Sequence, residues 1–322
     1  MPATIVVMIV RDIDLSLIIV SWNVREYLSA CLDSIQANGG SLKLEVIVVE
    51  SASTDGTAAL LDERYDWVKV FPQAENIGFT RGNNVGLAAA QGRYVMLLNP
   101  DTLVIGKALA RMVQILDEYP NVGIVGPLTL NTDGTTQSTR RRFATLTSAV
   151  FETPSLQPYT PRSVLDRYQA NDIADTETAD VDWVQGSALM ARRQVYEQIG
   201  PLDEAYTMFY EETDWCRRAR QKGWRVVYVG DATIVHHGGK SADQVPAFKH
   251  IYYQQSKLRY FRKYHGRLVS GLLRAALLLS YAHQLALEGA KGILGHKRAL
   301  RRERVGVYWR VLRALSLPGV MG

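Results

Sequence analysis

The sequence predicts an α/β protein: a mostly parallel, doubly wound sheet flanked by helices, with a helical, basic C-terminal extension. Three observations carry that prediction. Strand-like and helix-like segments alternate through the first hundred residues at the spacing of βαβ units. The strand-like runs are apolar without alternation, as strands buried on both faces of a parallel sheet require, and Tyr94 to Leu98 is the clearest of them. Charge is also divided unevenly. From Lys257 onward 14 Lys+Arg face 2 acidic residues (+12), whereas the preceding 256 residues carry 23 basic and 30 acidic (−7). A mildly acidic body with a strongly basic tail implies two kinds of partner.

In chain order, Leu15 to Ser21 is the first buried strand, ended by Trp22-Asn23. Apolar residues at 24, 28, 31, 32 and 35 give the next segment, Val24 to Ala37, a helical spacing, and Gly39-Gly40 stops it. Leu44 to Val49 is the second strand and ends in Glu50-Ser51. Turn and cap residues at 53–57 lead into a helix over 57–64, and Trp67 to Phe71 reads as a third strand. A polar, glycine-containing loop beginning at Glu75 runs into a helix of small residues that ends near Ala90. The strand at 94–98 then breaks at Asn99-Pro100-Asp101, because proline cannot donate to a ladder. Asp101 is thereby set at the carboxyl edge of the sheet, where ligands bind in open α/β folds. A carboxylate there is suited to a hard divalent cation that in turn holds a diphosphate; the competing reading is an N-cap for the helix-like segment Lys107 to Glu118.

The second half is less regular. Asn121 to Pro127 reads as a strand, and Arg140, Arg141 and Arg142 follow within 137–143. They are either a solvated basic loop or the source of one arginine that meets a diphosphate or an anionic acceptor. Residues 152–180 lack periodicity and are expected to form a long loop. Trp183 opens a strand-like run whose Gly186 admits a ligand closely. Glu211, Glu212 and Asp214 crowd the start of a helix that continues into Arg217, Arg218 and Arg220. Asp214 and the arginines fit an ordinary helix start, but adjacent Glu211-Glu212 fit it only in part. Crowded carboxylates raise one another's proton affinity, which suits a general base. Arg225 to Val229 and Ala232 to His237 read as two further strands, and alternation allows at most one of His236 and His237 into a site.

Composition narrows the class. With 47% hydrophobic and 21% charged residues the chain is globular. Cys31 and Cys216 lie far apart, with no metal spacing and no disulfide framework, as in a reducing compartment. The apolar run Ala3 to Val10 is short, lacks a basic lead-in and ends in Arg11-Asp12, unlike a secretory leader; it is expected as an edge strand or as residues outside the fold. Neither G-x-G-x-x-G after the first strand nor G-x-x-x-x-G-K-[ST] anywhere is present, which argues against a dinucleotide dehydrogenase or a P-loop NTPase. Polar and acidic residues instead stand at successive strand ends, Asn23, Glu50, Asn76 and Asp101, a set suited to a base, a ribose and a metal-bridged diphosphate.

Seven ordered motifs between about Leu15 and His265 carry a resemblance: LIIVSWN, VVESASTDGT, ENIGFTRGNNVG, LLNPD, VQGSALMARR, FYEETDWCRRARQKGW and IVHHGGKS. The chain resembles the family 2 glycosyltransferases of GT-A fold, in particular bacterial rhamnosyltransferase-like members. That resemblance implies a GT-A catalytic domain over 14–245 and inverting transfer of a sugar from a nucleotide donor, dTDP- or UDP-linked, with Mg²⁺ or Mn²⁺. It assigns donor binding to Ser21, Asn23, Glu50, Asn76, Gly78, Asn83, Asn99 and Asp101. Metal ligation falls to Asp101 and His236. The general base of the Glu-Asp-x-Asp motif falls on Glu212, with Asp214 as the runner-up. Arg141, Trp183, Gly186 and Glu211 become candidates for the acceptor or its phosphates. Two positions depart from the family pattern: Glu50-Ser51 stands for Asp-Asn, which bears on the base contact, and Asn99 neutralises the first position of Asp-x-Asp.

Residues 246–322 are expected to be helical, basic and membrane-associating. On a helix, Ser270, Arg274, Tyr281, Gln284, Glu288 and Lys291 form one polar stripe beside a broad apolar face, and no uncharged run reaches the length of a bilayer span. Lys297, Arg298, Arg301, Arg302 and Arg304 follow, a combination suited to an anionic membrane surface. Packing on the catalytic domain or homodimerisation are the alternatives for the first helix; nucleic acid is not expected with so much leucine. The functional expectation is a peripheral enzyme at the cytoplasmic face of the membrane that extends a glycan or lipid-linked glycan. A sugar nucleotidyltransferase would favour a glycine- and lysine-rich loop after the first strand, where this chain has WNVREY. A non-catalytic nucleotide-sugar-binding protein is the third reading, since Glu50 and Glu212 both replace aspartates.

Overall fold

A large sheet with strand order β3-β2-β1-β4-β11-β6-β12-β5 forms the centre of the molecule. The structure, a computed structural model, describes residues 12–239, 246–295 and 297–317; the run Ala3 to Val10 and the end of IVHHGGKS lie outside them. The first half follows the βαβ reading: β1 (Leu15–Ser21), α1 (Arg25–Asn38), β2 (Leu44–Glu50), α2 (Thr57–Arg64), β3 (Lys69–Pro72), α3 (Phe79–Ala89) and β4 (Tyr94–Leu98). β1 pairs in parallel with β2 and β4, and β2 with β3. Chain order reverses direction at β1, which opens a crevice at the carboxyl ends of β1 and β4. β3 begins two residues later than expected and is largely exposed, an edge strand carrying Lys69 and Pro72.

The remaining elements are β5 (Thr102–Val104), α4 (Ala108–Glu118), β6 (Val122–Leu130), β7 (Thr136–Gln137), β8 (Arg140–Arg141), α5 (Leu146–Phe151), α6 (Arg162–Gln169), β9 (Ala179–Val181), β10 (Trp183–Val184), β11 (Ala188–Arg192), α7 (Arg193–Ile199), α8 (Glu211–Gln221) and β12 (Arg225–His236). The sheet is mixed here. β11 runs antiparallel to both β4 and β6, while β12 pairs in parallel with β6 and antiparallel with β5 and β9. Three expectations are corrected. The two strands read at 225–229 and 232–237 are one strand with a register shift between Val229 and Thr233. Residues 152–180 contain α6 and β9 rather than a continuous loop. And Asp101 is no helix cap, since β5 separates it from α4, whose N-cap is Lys107.

Side chains alternate across the sheet into two cores. Leu15, Leu17, Ile19, Val46, Val48, Met96 and Leu98 face α1 and α4; Ile18, Ile47, Val49, Val95 and Leu97 face α3, α7 and α8. Full burial of each such side chain is worth roughly 1.5–3 kcal/mol. Close contact is set by small residues: a Cβ on Gly86 would lie 2.3 Å from Ile18, so α3 seats directly on β1. Cys31 and Cys216 are buried and free.

The C-terminal helices are α9 (Pro246–Ile293), bent at Gly266 (φ 86, ψ 172), and α10 (Arg298–Ser316). They share a third core with α5 and the start of α8, including Tyr206, Tyr210, Leu258, Phe261, Leu277 and Val311. After the bend, α9 and α10 run antiparallel: Tyr281 meets Tyr308 with ring centroids 5.7 Å apart, and Arg274 Nε donates to the Leu315 carbonyl at 2.8 Å. The polar stripe is not the solvent face. Ser270, Tyr281 and Glu288 are buried; Ser270 donates to the Leu258 carbonyl, and Glu288 pairs with Arg301 and Arg304. Only Lys291 of that stripe is exposed. Ser270, Tyr281 and Glu288 share their buried face with Leu273 and Leu277; the Tyr281 hydroxyl receives the Gln254 side-chain N–H at 3.2 Å, and the arginines of α10 hold Glu288 inward.

Candidate active site

Two clusters meet at the carboxyl edge of the sheet. The first is the turn after β4. Asp101 and His236 are 3% and 7% exposed, with Asp101 Oδ1 3.3 Å from His236 Nε2. The Gly239 N–H donates to Asp101 Oδ2 at 2.8 Å, and the His237 N–H to the Asp101 carbonyl at 2.9 Å. Gln137 Nε2 donates to the Asn131 side-chain oxygen and to the His236 carbonyl, so its Oε1 faces the imidazole and Nδ1, 2.8 Å away, carries the proton. Nε2 faces Asp101 and the Asn99 side-chain amide, which lies at 3.3 Å. An oxygen and a nitrogen donor at this separation match adjacent ligands around an octahedral cation, about 3 Å apart for bonds of ~2.1 Å. Among the described residues no group of three or more His, Cys, Asp or Glu converges on one point. Asp101 and His236 are thus one carboxylate and one imidazole side by side, too few to enclose a cation by themselves; a cation held there would need further ligands such as phosphates and water.

The second cluster lines a cavity of about 300 Å³ that includes Arg141, Glu152, Tyr168, Trp183, Gln185, Tyr210, Glu212 and Tyr253. Glu212 reaches it from the first turn of α8. The two residues before that helix, Phe209 and Tyr210, both sit at φ 69, a left-handed conformation that costs roughly 1–2 kcal/mol for a non-glycine residue. This kink turns the helix start toward the cavity. Glu212 is 8% exposed and its Oε2 has no hydrogen-bond partner among the described residues. Burial pushes its carboxyl above the usual carboxylate range, offset in part by N–H groups of Glu212, Thr213, Gly186 and Tyr210. Gly186 lies against it: a Cβ there would meet Glu212 Cβ at 3.4 Å and Cγ at 3.5 Å. The next residue, Ser187, accepts the Asn99 N–H at 2.9 Å through its carbonyl. One backbone segment therefore joins the Asp101 turn to Glu212.

The model of glycosyl transferase family 2 matches residues 16–183, more than half of the chain. The chain belongs to this family. The glycosyltransferase is also similar to the N-acetylglucosaminyl-diphospho-decaprenol L-rhamnosyltransferase of Mycobacterium tuberculosis, 26% identical over 275 residues that cover 81% of this chain and 87% of that protein. The low-salt glycan biosynthesis hexosyltransferase Agl10 of Haloferax volcanii is 27% identical over 226 residues, 69% of this chain and 66% of its own. In fold it is similar to the mannosyltransferase PcManGT from Pyrobaculum calidifontis, described in complex with GDP-Man and Mn²⁺. That match has a TM-score of 0.56 at 19% identity, over 93% of this chain and 85% of that one. It is likewise similar to GalNAc-T7, described with UDP, GalNAc and Mn²⁺, with a TM-score of 0.54 at 16% identity over 70% and 44%. The fold is the GT-A arrangement expected from the motifs.

The other sequence-derived positions fall into two groups. Ser21 and Glu50 are register partners at the ends of β1 and β2, and Ser51 follows directly. Ser21 Oγ, Ser51 Oγ and Ser187 Oγ are buried without a hydrogen-bond partner among the described residues, as hydroxyls awaiting a polar ligand would be. Asn23 accepts the Thr54 N–H at 2.7 Å and Glu50 accepts the Ser53 N–H at 2.7 Å, so both shape the loop beside them. Asn76 is exposed and accepts the N–H of Gly78, the N-cap of α3; Asn83 turns inward, donating to the Phe79 carbonyl. Of the three arginines, Arg140 pairs with Asp175 and Arg142 with Asp172. Arg141 has no carboxylate at ion-pair distance among the described residues and lies over the Tyr168 ring at 5.8 Å. Trp183 is in the cavity wall, with its ring N–H on the Arg142 carbonyl.

Glu211 and Asp214 do not line this cavity. Glu211 is 3% exposed, and burial, with the Glu212 charge second, drives its carboxyl well above the usual range. Asp214 is fully buried and held by Arg218 at 2.8 Å, Lys263 at 2.6 Å and the Tyr264 hydroxyl at 2.8 Å, so the runner-up base is a structural ion-pair centre instead. His237 is not on the open surface either; it packs edge-on against Tyr27. Gln137, Gly239, Glu152, Tyr168 and Tyr253 were not found by sequence reasoning. No motif spacing marks them, and Tyr253 and Lys257, which binds Glu152 at 2.7 Å, come from the region read as tail.

Proposed function

We propose that this glycosyltransferase moves a hexosyl unit, rhamnose being the favoured case, from a dTDP- or UDP-linked donor to a hydroxyl of a lipid-linked glycan, with inversion at the anomeric carbon. The single observation that carries the reading is the juxtaposition of Glu212, whose Oε2 has no hydrogen-bond partner among the described residues and which lines an aromatic cavity, with the Asp101–His236 pair across one backbone segment. The nucleotide would lie along the carboxyl edge, over Ser21, Asn23, Glu50 and Ser51. Asp101 and His236 would hold Mg²⁺ or Mn²⁺, with Gln137 fixing the imidazole; the bound cation supplies positive charge against the leaving diphosphate. Imidazole suits Mn²⁺ better than Mg²⁺, and the two structures of similar fold are described with Mn²⁺.

Glu212 accepts the proton of the acceptor hydroxyl as its oxygen bonds to the anomeric carbon and the carbon–phosphate-oxygen bond breaks, the electron pair leaving on the nucleoside diphosphate. A carboxyl raised by burial is a stronger base than a solvated one. Arg141, which has no carboxylate at ion-pair distance among the described residues, would meet an anionic part of the acceptor, and Tyr168 and Trp183 offer aromatic faces to its sugar. The Mycobacterium relative is named for a sugar–diphospho–lipid acceptor, chemistry that fits this combination. A lipid-linked acceptor also implies a peripheral enzyme at the cytoplasmic face of a membrane. The test is acceptor-stimulated release of nucleoside diphosphate from a panel of dTDP-, UDP- and GDP-sugars. Stimulation with one dTDP- or UDP-sugar supports the proposal; release of pyrophosphate, or nucleotide binding with no turnover for any donor, refutes it.

A further inference from the structure

Beyond Gly266, α9 is apolar on two sides: Leu273 and Leu277 are buried in the third core, while a second row of leucines faces outward, unlike a helix with a single apolar face seated on a domain in water. Ser270, Tyr281 and Glu288 are buried, whereas Leu268, Leu272 and Leu279 are 78%, 55% and 73% exposed. From Leu268 to Ala290 every exposed residue is leucine, alanine, glycine or His283, and none is charged. That uncharged row is about 33 Å long at ~1.5 Å per residue. By length and composition α9 is also apolar enough to cross a membrane. The antiparallel α10 carries exposed Arg298, Arg302, Arg310 and Arg313 along its length, and Trp309 is 59% exposed. A transverse hairpin would carry those arginines into hydrocarbon, at a few kcal/mol each. Lying flat, the same hairpin keeps them among headgroups and the leucines among acyl chains. A second copy of the chain is a poorer occupant, because it would bring two +12 segments together.

We propose that this face of α9, with the arginines of α10, docks the enzyme in the plane of an anionic lipid bilayer. A flank of the same stretch, including His283, holds residues 154–155, which follow Glu152 of the cavity wall. Ser280 Oγ accepts the Ser155 N–H at 2.9 Å, His283 Nδ1 lies 2.9 Å from Ser155 Oγ, and Gln284 donates to the Pro154 carbonyl. Glu152, in the cavity, is held by Lys257 of α9. Docking would therefore put the lipid against the helix that also holds the chain next to the acceptor cavity. The proposal takes its purpose from the lipid-linked acceptor reading, but its evidence is separate and it is measured without any acceptor.

The test is sedimentation of the full chain with vesicles of equimolar phosphatidylcholine and phosphatidylglycerol, and with phosphatidylcholine alone. Wild type should bind the mixed vesicles and bind phosphatidylcholine weakly. L272E/L279E should lower the partition coefficient by at least about tenfold while circular dichroism, melting and nucleotide-sugar binding stay unchanged. R302E/R310E should remove most of the preference for phosphatidylglycerol; it also carries the test should the leucine pair misfold. Equal partitioning of wild type and both variants overturns the proposal. So does resistance to alkaline carbonate, which means a spanning helix, or a dimer that the leucine substitutions dissolve in a protein that ignores vesicles. Docking as described with no transfer from any donor would leave this surface standing and sink the acceptor reading instead.

Discussion

Glu212→Gln and Asp214→Asn, two residues apart on α8, should fail in opposite ways. Glutamine is nearly isosteric, still accepts the N–H groups of Gly186 and Thr213 through its oxygen, and takes no proton from a hydroxyl. Loss of a general base costs about 10²–10⁴-fold, or roughly 2.7–5.5 kcal/mol of barrier. Donor binding and melting temperature should hold, because burial already disfavours the charged form of Glu212. Asp214 is fully buried between Arg218 and Lys263, with the Tyr264 hydroxyl on the same oxygen as Lys263. An asparagine there leaves Arg218 without its carboxylate and Lys263 with Asp203 alone, at 3.0 Å; a broken ion pair costs about 3–5 kcal/mol when fully buried. Both cations are partly exposed, so the low end applies, near ~3 kcal/mol and a fall in Tm of roughly 5–10 °C. Calorimetric melting and a nucleotide-release assay read both variants. A stable, inactive D214N beside an active E212Q would refute the assignment and exchange the two roles.

Three further outcomes follow from the same geometry. Asp101→Asn should keep the Gly239 N–H satisfied yet lose most Mn²⁺-dependent binding of a nucleoside diphosphate, since Asn99 is already neutral; unchanged calorimetric binding would remove the metal from this turn. Glu211→Gln should stabilise the protein increasingly as pH rises. The folded-state carboxyl is raised, so its contribution is intact below the ordinary value near 4.5 and is lost as pH climbs toward the folded value, at about 1.4 kcal/mol per unit. Melting curves from pH 5 to neutrality that show a constant gap would contradict this. Arg141→Lys keeps the charge but loses the planar fork over Tyr168; the acceptor KM should rise about tenfold with the donor KM unchanged, and a donor effect alone would place Arg141 elsewhere.

The parallel half of the fold was readable because β1, β2 and β4 are buried on both faces and their apolar runs admit no other reading. β12 was split in two because Gly230-Asp231 resembles a turn. In the structure Gly230 instead lets the strand pass the Thr176 backbone, from which a Cβ would be 2.3 Å away. α6 was missed because it buries no residue and so leaves no apolar period. Alternation and the resemblance together separated His236 from His237, but the partner that orients His236 sits on a two-residue strand 99 positions earlier. Asp214 was ambiguous for a similar reason: its counter-ions at 218 lie within reach of local reasoning, whereas Lys263 and Tyr264 come from another helix. Periodicity marked an apolar face on α9 but missed the buried one, which combines Leu273 and Leu277 with Ser270, Tyr281 and Glu288, because burial depends on α10 and residues 154–155.

The most direct test of the account is the product formed from dTDP-L-rhamnose and an N-acetylglucosaminyl-diphospho-prenol with Mn²⁺. NMR of the isolated glycan reports both bond formation and anomeric configuration. The account predicts a new glycosidic bond of inverted configuration, formed by wild type and by wild type only when it is compared with E212Q and D101N. A product of retained configuration, or one formed equally well by E212Q, would contradict it.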